Sequence, residues 1–519
     1  MLTENLTVGG LLRRTAAAYP DRPALIHQDQ TFTYRDLDTF TDRYACSLLQ
    51  LGVRKGDHVG ILCEAEPNCI SLMYAVTRIG AVAVMLNTSL LQDELTARIA
   101  TARIRWLLIG DGYKEVDYPT VCAGLPDRAP TLQAIRYIGL QDRTEFPPLL
   151  PAGTADLSPV TKAESAVDPQ DTAFILFTSG TGSTPKAVMS SHYSRVNSGI
   201  LQAKDLAADC TDRFCTAMPV FHCFSLSVNV LAACAVGACL YLPASRRTSD
   251  LLTAIQTGKC TVFSCVPALF RAILRREDFE TWDLSSLRTG FIGGSSYPEA
   301  LFAEIEERMG FTLLSSLGQT EATAGITTAR LEDPLSVRAT TIGHFMDHVE
   351  GRILDPVTGE PLPVDTPGEI CVRGYVVMQG YCGQPEETAK AIDQNGFLHT
   401  GDVGWLDQDG NIHLSGRLKE LIIRGGENIS PKEIESVFFD DDRVSACKAV
   451  GVPDEHYGEE VCLCVVPADE SCDEAYVRGK LSEKLAAYKM PRYVRFFDAL
   501  PMTATGKIRL QALKEMVSR

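Results

Sequence analysis

The sequence predicts an α/β protein with a large N-terminal domain and a smaller α+β domain at the C-terminus. Short apolar runs typical of buried strands alternate with helix-length segments from Thr33 to Leu317, which indicates mostly parallel sheets flanked by helices. After Arg330, glycines and short alternating runs favour an antiparallel, β-rich part near 331–416. At 519 residues the chain is too long for one hydrophobic core, so at least two domains are expected.

The first predicted elements alternate between helix and strand. Thr33 can cap a helix that Gly52 ends, because apolar residues recur at helical spacing between them. Three β-rich runs follow, at His58–Cys63, Ala81–Leu86 and Arg105–Gly110. Residues 124–170 are rich in proline and polar side chains, and we expect them to form a connection between two βαβ units.

The second group of elements resumes after Asp171. The predicted strands are Thr172–Phe177, Arg213–Pro219, Cys260–Pro267, Arg288–Gly294 and Thr312–Leu317. Residues 226–244 are apolar but contain Asn229, Gly237 and Pro243, which favours a buried helix and strand over a membrane span. Ser296 to Glu299 and Ser430 to Glu433 have the spacing of capping boxes and predict two helix starts.

Composition limits the partners and the compartment. A net charge of −17 argues against nonspecific binding to nucleic acid or to anionic membranes. The 17 cysteines are scattered without a C-x-x-C pair, which favours reduced thiols in a cytoplasmic protein over a disulfide framework or a zinc site. The first twenty residues lack the apolar region of a secretory signal.

The stretch Phe174–Ala187 combines an apolar run with a loop of small hydroxyl residues and glycines that ends in a lysine. Gly180 and Gly182 allow backbone N–H groups to turn toward a ligand, and Lys186 supplies a point charge. The pattern is not a Walker P-loop, because Pro185 stands where the second glycine belongs. From these residues alone, phosphate binding and an ordinary polar surface turn remain equally open.

Five separated stretches together resemble the adenylate-forming enzymes, which include acyl- and aryl-CoA synthetases, adenylation domains of peptide synthetases and beetle luciferases. Each stretch alone is a weak signal, but five in the right order make coincidence negligible, and the resemblance covers nearly the whole chain. They are the loop Thr178–Lys186 and the motifs Leu317–Glu321, His399–Asp402, Gly416–Glu420 and Pro501–Lys507.

The resemblance implies a ligase that uses ATP, Mg²⁺ and CoA. A carboxylate attacks the α-phosphorus of ATP, pyrophosphate leaves, and a thiol then displaces AMP from the acyl-adenylate. Because the first step brings an anion to an anion, positive charge and oriented dipoles should dominate catalysis. Lys507 is expected to contact the carboxylate and the α-phosphate, Thr320 to bind the α-phosphate, and Glu321 to hold Mg²⁺.

The resemblance also assigns binding residues. Asp402 should bind the ribose hydroxyls with help from Arg417, and His222 should orient the acid and gate its pocket. The other predicted nucleotide-binding residues are Thr178, Ser179, Gly180, Thr181, Gly182, Ser183, Thr184, Lys186, Gly294, Ser295, Ser316, Leu317, Gly318 and Gln319. The predicted acyl pocket is lined by Phe221, His222, Ser225, Val228, Asn229, Gly294, Gly318 and Gly325.

Members of the family use one site for two reactions by swinging their C-terminal domain. The resemblance implies an N-terminal adenylation domain at 1–416, a mobile C-terminal domain at 417–519 and a pivot at Lys419. The swing would remove Lys507 from the site. It would bring in the turn Gly425, Gly426 and Glu427, whose glycines let the backbone approach a narrow pantetheine tunnel.

Two positions depart from the family pattern. The loop reads Thr181-Gly182-Ser183 where the family has Thr-Thr-Gly, so we expect a different local path and retained activity. Leu317 stands where an aromatic residue is common, which predicts weaker or altered contact with adenine.

The sequence favours an acyl-CoA synthetase for a medium- or long-chain fatty acid, because Phe221–Phe224 and the small-residue helix after it resemble the fatty-acyl branch. That region also lacks an Asp or Lys to pair with an α-ammonium group. Two alternatives stay open: an aryl-acid or acyl activator that loads a carrier-protein phosphopantetheine, and a non-catalytic acyl or nucleotide sensor. Either a monomer or a homodimer is compatible with the resemblance. The sensor is disfavoured by the retention of four motif residues, Glu321, Asp402, Arg417 and Lys507.

Overall fold

The computed structural model describes eight segments of the chain. They are residues 3–139, 145–153, 156–178, 186–295, 297–424, 427–439, 441–502 and 508–517.

The strands fall into four larger sheets and one two-stranded ribbon. In chain order they are β1 (Pro23–His27), β2 (Gln30–Thr33), β3 (His58–Leu62), β4 (Val82–Met85), β5 (Trp106–Ile109), β6 (Gly112–Tyr113), β7 (Val116–Asp117), β8 (Ala134–Tyr137), β9 (Thr172–Phe177), β10 (Ala187–Ser191), β11 (Arg213–Cys215), β12 (Cys239–Leu242), β13 (Val262–Phe263), β14 (Thr289–Ile292), β15 (Thr312–Gly318), β16 (Gly325–Thr328), β17 (His344–Phe345), β18 (Val349–Leu354), β19 (Gly368–Gly374), β20 (Gly380–Tyr381), β21 (Leu398–Leu406), β22 (Ile412–Arg417), β23 (Ile422–Arg424), β24 (Glu427–Ile429), β25 (Val444–Asp454), β26 (Gly458–Pro467) and β27 (Tyr493–Phe496).

Helices flank these sheets. They are α1 (Val8–Ala18), α2 (Tyr34–Leu51), α3 (Pro67–Arg78), α4 (Gln92–Thr101), α5 (Tyr118–Cys122), α6 (Leu125–Arg128), α7 (Ser158–Glu164), α8 (His192–Asp205), α9 (Cys223–Ser225), α10 (Ala232–Val236), α11 (Thr248–Gly258), α12 (Pro267–Leu274), α13 (Glu299–Met309), α14 (Leu335–Thr340), α15 (Pro385–Ala391), α16 (Pro431–Ser436), α17 (Glu474–Lys484) and α18 (Leu510–Val517). A π-helical segment, Leu226–Leu231, joins α9 to α10, and single 3₁₀ turns lie at Phe279–Thr281, Thr320–Ala322, Leu418–Glu420 and Ala487–Lys489.

Two large mixed sheets form the N-terminal part. One has the order β17-β16-β15-β14-β13-β11-β12-β1-β2 and the other β20-β10-β9-β4-β3-β5-β8. Their interiors are parallel, as in the pairing of β3 with β4 and β5, which confirms the predicted βαβ pattern. In such sheets ligands bind outside the carboxyl ends of the strands, so the segments after β9, β14 and β15 are placed to form a site.

Two antiparallel sheets follow. The order β18-β19-β21-β22 confirms the β-rich part predicted near 331–416. A C-terminal sheet, β24-β23-β26-β25 with β27 beside β26, packs with α16 and α17 around its own core and confirms the predicted small α+β unit. Among the described helices, none combines the length and apolar composition that a membrane crossing requires.

The first predicted helix is confirmed, and several other local predictions are corrected. Thr33 caps α2 in a reciprocal capping box with Asp36, and Gly52 ends the helix in a left-handed conformation. Residues 124–170, predicted to form a connection, contain α6, α7 and the strand β8. With four residues, β8 is too short for its alternating pattern to be recognised in the sequence.

Of the two other predicted helix starts, the one at Ser430 is confirmed but lacks its capping hydrogen bond, and the other helix begins at Glu299 instead of after Ser296. Helix α13 begins at Glu299 with Pro298 at its cap, which has no side-chain acceptor, and Ser296 lies outside the described residues. Ser430 stands at the cap of α16, but its hydroxyl donates to the carbonyl oxygen of Ser415 at 2.5 Å instead of capping the helix. A contact with a neighbouring strand therefore replaced the local hydrogen bond.

A buried charge network ties four helices of the N-terminal part together. Arg78, whose side chain is fully buried, donates to Asp38 at 2.6 Å and to Asp42 at 2.8 Å. Arg13 donates to the same two carboxylates at 2.8 and 2.6 Å, and Glu164 lies within 3.1 Å of Arg13. The charges alternate in sign, so removing one member leaves its partners buried and uncompensated.

We expect Arg78→Met to lower the free energy of unfolding of the N-terminal part by about 3–5 kcal/mol, because Asp38 and Asp42 lose a buried partner. Arg128→Met is the matched control, since Arg128 pairs with Asp93 at the surface and such pairs contribute about 0–1 kcal/mol. Urea denaturation followed by circular dichroism measures both. Equal losses in the two variants would contradict a role for the network.

Candidate active site

The centre of the site is the turn that follows β15. Gly318 ends the strand at a point where a Cβ atom would lie 1.7 Å from the carbonyl oxygen of Ala324, so only glycine fits. The 3₁₀ turn Thr320–Ala322 then presents Thr320 and Glu321 at the sheet edge. Thr323 follows with φ of +64°, a left-handed conformation that is unfavourable for a threonine.

Buried hydrogen bonds hold Thr323 in this conformation. Arg195 on α8 donates to the Thr323 carbonyl oxygen at 2.6 Å, and the Ser227 hydroxyl donates to the same atom at 3.1 Å. The Thr323 hydroxyl donates to the carbonyl oxygen of Val376 at 2.5 Å. The turn is therefore fixed from behind by α8, the π-helical segment and the segment after β19.

Arg195 is a buried residue behind this turn that the sequence reasoning missed. Its side chain is fully buried. Its Nε donates a hydrogen bond to the Ser190 hydroxyl at 2.8 Å, and its guanidinium carbon lies 5.8 Å from the centre of the Phe174 ring. Burial lowers the pKa of Arg195 to about 10, and the neighbouring Cys223 thiol opposes that shift. The guanidinium thus stays charged near neutral pH, directly behind the turn that carries Thr320 and Glu321.

Glu321 is linked to the end of the glycine-rich loop. The Tyr381 hydroxyl donates to Glu321 Oε1 at 3.0 Å, and the Lys186 ammonium lies 4.6 Å from the centre of the Tyr381 ring. Lys186 Nζ also contacts Glu387 Oε2 at 2.8 Å. The structure therefore brings together Lys186 and Glu321, which are 135 residues apart in the chain.

Most of the glycine-rich loop lies outside the described residues. Its flanks are described: β9 and β10 pair antiparallel, and the Thr178 N–H donates to the Lys186 carbonyl oxygen at 3.2 Å. The binding predictions for six residues therefore stay predictions, namely Ser179, Gly180, Thr181, Gly182, Ser183 and Thr184.

Asp402 and Arg417 face each other across β21 and β22. Arg417 Nε donates to Asp402 Oδ1 at 2.8 Å, whereas Asp402 Oδ2 is buried and has no partner among the described residues. Burial raises the pKa of Asp402, Arg417 opposes this, and the nearby carboxylates of Glu420 and Glu321 raise it further. A buried acceptor without a donor is suited to a hydroxyl group of a ligand.

His222, Cys223 and Thr320 form the side of the site next to the π-helical segment. His222 Nδ1 accepts the Phe224 N–H at 3.2 Å, and the Thr320 hydroxyl lies 3.7 Å from Cys223 Sγ. Burial alone would raise the pKa of Cys223, but His222, Arg195 and Thr320 outweigh it and lower the pKa. Thr320 and His222, predicted for one site, thus share a neighbour.

Three residues of the predicted acyl pocket are buried in the protein interior. Ser225 and Asn229 are fully buried, and Val228 is 2% exposed. Asn229 Nδ2 donates to Ser225 at 3.4 Å, while its Oδ1 has no described partner. Phe221 is partly buried in the same core. π-Helical turns such as Leu226–Leu231 occur frequently at functional sites.

The residues predicted to flank adenine meet at the ends of β14 and β15. Ile292 pairs with Ser315, and a Cβ on Gly293 would lie 2.8 Å from the Ser316 carbonyl oxygen. Ser316 donates its hydroxyl to the Thr327 carbonyl oxygen at 2.9 Å. Their neighbours in the chain are the other predicted residues of this wall, Gly294, Ser295, Leu317, Gly318 and Gln319. Gly325 begins β16, and a Cβ there would meet Gln202.

The C-terminal predictions fall partly on described residues. Lys419 is exposed in the 3₁₀ turn after β22, and the strand itself extends through Gly416 and Arg417. Gly425, Gly426 and Lys507 lie outside the described residues, and of Glu427 only the backbone, in β24, is described.

The donor set fits the implied metal. Glu321 offers a carboxylate at the mouth of the site, and one of its oxygens is already oriented by Tyr381. Mg²⁺ is usually bound by one or two carboxylates together with substrate phosphates, which matches a single oriented glutamate beside Lys186.

Comparisons with known proteins cover nearly the whole chain. The model of the AMP-binding enzyme family matches residues 12–382, and the model of the AMP-binding enzyme C-terminal domain matches residues 433–507. A putative acyl-CoA synthetase of Bacillus subtilis, YngI, is 36% identical, with 98% of this chain and 96% of that protein covered. The mitochondrial medium-chain acyl-CoA ligase ACSF2 of Rattus norvegicus is 31% identical, with 99% and 88% covered.

The solved structures agree. ATP-bound MatB from Rhodopseudomonas palustris superposes with a TM-score of 0.85 at 26% identity and covers 99% of both chains. The chain belongs to the AMP-binding enzyme family, the adenylate-forming enzymes. More specifically, it is an AMP-forming acyl-CoA ligase that uses ATP and has CoA as its co-substrate.

We expect Asp402→Asn to weaken discrimination between ATP and 2′-deoxy-ATP. The neutral amide replaces a charge-assisted hydrogen bond to a hydroxyl, worth about 1.5–3 kcal/mol, so the preference for ATP should fall by about tenfold. Calorimetric titration with each nucleotide measures the ratio. Asp409→Asn, an exposed acid on the same hairpin, is the control. An unchanged ratio in Asp402→Asn would place the ribose elsewhere.

Proposed function

We propose that this ligase activates a medium- or long-chain fatty acid and transfers the acyl group to CoA. The observation that supports the site assignment is that Asp402, bonded to Arg417, lies close enough to Glu321 to feel its charge, while the neighbouring Thr320 contacts Cys223. On this proposal Asp402 binds the ribose, Glu321 binds the metal, and His222 and its neighbours bind the acid. The resemblance of the small-residue helix to the fatty-acyl branch and the medium-chain relative support the choice of acid.

The residues proposed to surround the acid disfavour an amino acid as substrate. Phe221 and Val228 offer apolar contacts, and the buried guanidinium of Arg195 lies 3.3 Å from Ser227 on the same π-helical segment. A fixed positive charge there repels the α-ammonium group of an amino acid, whereas it attracts a carboxylate.

The residues divide the chemistry among them. Lys186 and the hydroxyls of residues 178–184 bind the pyrophosphate end, Thr320 and Lys507 bind the α-phosphate, and Asp402 with Arg417 holds the ribose. His222 orients the acid and needs no base function, because a carboxylate attacks without losing a proton. When Mg²⁺ is bound by Glu321, it neutralises phosphate charge during transfer.

We further propose that residues 417–519 swing about Lys419 between the two reactions. Besides the pairing of Arg417 with Asp402 inside the β21–β22 hairpin, hydrogen bonds from the start of α16 to β22 cross this boundary: Ser430 with the Ser415 carbonyl oxygen, and Lys432 Nζ with the Leu414 carbonyl oxygen at 3.2 Å. Both are single hydrogen bonds to a strand, so rotation breaks little. The turn at Gly425, Gly426 and Glu427 would then meet pantetheine.

A cytoplasmic location is supported by the cysteines, all 17 of which are unpaired thiols. Self-association and the use of a carrier protein in place of CoA are decided by two measurements. Light scattering gives the molar mass of the chain, and a holo carrier protein can replace CoA in the assay below.

An acid panel tests the activity. With linear fatty acids of increasing length, aryl acids and amino acids, we expect acid-dependent pyrophosphate release that is largest for fatty acids, with CoA consumed. Pyrophosphate release that requires a carrier protein would favour loading of phosphopantetheine. Nucleotide binding without turnover of any acid would favour a sensor and contradict the proposed activity.

Lys507→Ala should separate the two reactions. We expect adenylation to fall by at least a hundredfold, since one oriented cation at a developing charge contributes that much, while thioester formation from supplied acyl-adenylate stays within a few-fold. Lys484→Ala, an exposed lysine of the same domain, is the control. Equal losses in both half-reactions would count against the swing.

A further inference from the structure

Lys186 and Glu321 are held together by a residue that neither sequence motif contains. Tyr381 donates its hydroxyl to Glu321 Oε1 at 3.0 Å and places its ring 4.6 Å from the Lys186 ammonium. We propose that Tyr381 is a positioning residue that sets the spacing between these two groups, and that Glu387 holds the Lys186 ammonium until nucleotide phosphates replace it. This inference rests on the proposed roles of Lys186 and Glu321.

Tyr381 is fixed firmly enough to act in this way. It lies in β20, which pairs with β10, so Tyr381 is directly opposite Val188, two residues after Lys186. Its N–H donates to the Thr388 hydroxyl at 2.9 Å, and the Cys382 N–H donates to the Ala187 carbonyl oxygen at 2.8 Å. The strand that follows the glycine-rich loop therefore carries Tyr381 with it.

The same segment also fixes the main chain of Glu321. The Met378 N–H donates to the Glu321 carbonyl oxygen at 2.9 Å, three residues before Tyr381. Glu321 is thus held at its backbone and at one carboxylate oxygen by a single segment, residues 378–381. Because one oxygen accepts the phenol hydrogen, the carboxylate cannot rotate freely, and the direction of its other oxygen is restricted.

The contacts of Tyr381 with its two neighbours are chemically different. The hydroxyl acts on Glu321 through a charge-assisted hydrogen bond, whereas the ring face acts on Lys186 through a cation–π contact. Phenylalanine keeps the second contact and loses the first. Leucine loses both, so two substitutions at one position separate the two effects.

Glu387 is an anionic partner of Lys186. Its Oε2 lies 2.8 Å from Lys186 Nζ, and its Oε1 lies 2.7 Å from Lys390. About a third of each side chain in the Lys186–Glu387 pair is exposed, so the pair is weak enough to exchange. A triphosphate carries more negative charge than one carboxylate, and Lys390 remains as a partner for Glu387 after the exchange.

Calorimetric titration without acid tests the role of Tyr381. ATP is titrated into the full chain once with EDTA and once with excess Mg²⁺, for the wild type, Tyr381→Phe and Tyr381→Leu. We expect Tyr381→Phe to bind ATP alone with the affinity of the wild type. The increase in ATP affinity on adding Mg²⁺ should be about tenfold smaller than in the wild type, which corresponds to the loss of one charge-assisted hydrogen bond. Tyr381→Leu should also bind ATP alone a few-fold more weakly.

Glu387→Gln tests the counter-ion. We expect it to bind ATP a few-fold more tightly in EDTA, because the phosphates no longer displace a carboxylate. Glu386→Gln changes the net charge equally at the adjacent exposed position, so it controls for long-range electrostatics. Weaker binding by Glu387→Gln, or equal gains in both variants, would overturn the role given to Glu387.

The outcomes are separable. A Tyr381→Phe variant with the wild-type gain from Mg²⁺ would overturn the positioning role while leaving the proposed function intact. An equal loss with and without Mg²⁺, together with a lower melting temperature, would show a merely structural role. A wild type that bound neither ATP nor MgATP would refute the proposed function, and this inference with it.

Discussion

The left-handed backbone at Thr323 is the constraint on which the site depends. A threonine with φ of +64° persists only where its surroundings over-determine it, and here Arg195, Ser227 and Val376 provide three hydrogen bonds to or from that residue. Because the turn is closed at Thr323, Thr320 and Glu321, which are proposed to bind the α-phosphate and Mg²⁺, leave the sheet edge together. A relaxed turn would separate them.

Burial of the Arg195 guanidinium, which holds this turn, costs free energy and also places a positive charge behind the turn. A charge taken out of water is expensive unless it is well hydrogen-bonded, and the partners of Arg195 are neutral oxygens of Ser190, Ser227 and Thr323. Among the described residues, no carboxylate is hydrogen-bonded to Arg195, so no ion pair neutralises its positive charge beside the site. Because the reaction brings a carboxylate to a triphosphate, a fixed cation in a low-dielectric interior favours both reactants.

Sequence reasoning predicted the architecture well because periodicity and cap residues are local. The run at Thr172–Phe177 coincides with β9, and Thr33 and Gly52 bound α2 as expected. It failed where a distant contact replaced a local one: Ser430 bonds to Ser415 rather than to its own helix. Arg195 was missed for the same reason, since nothing in the pattern of α8 distinguishes a buried arginine from an exposed one.

The charges of the site explain how so acidic a protein can bind a polyanion. Asp402, Glu321 and Glu420 lie near one another, and Arg417 is the cation paired with Asp402. Glu387 adds a further carboxylate at Lys186. Among these described groups the four carboxylates outnumber the two cations, so a phosphate chain needs further positive charge to bind there. On the proposed roles, Mg²⁺ and Lys507 supply that charge, which couples tight binding to the arrangement that reacts.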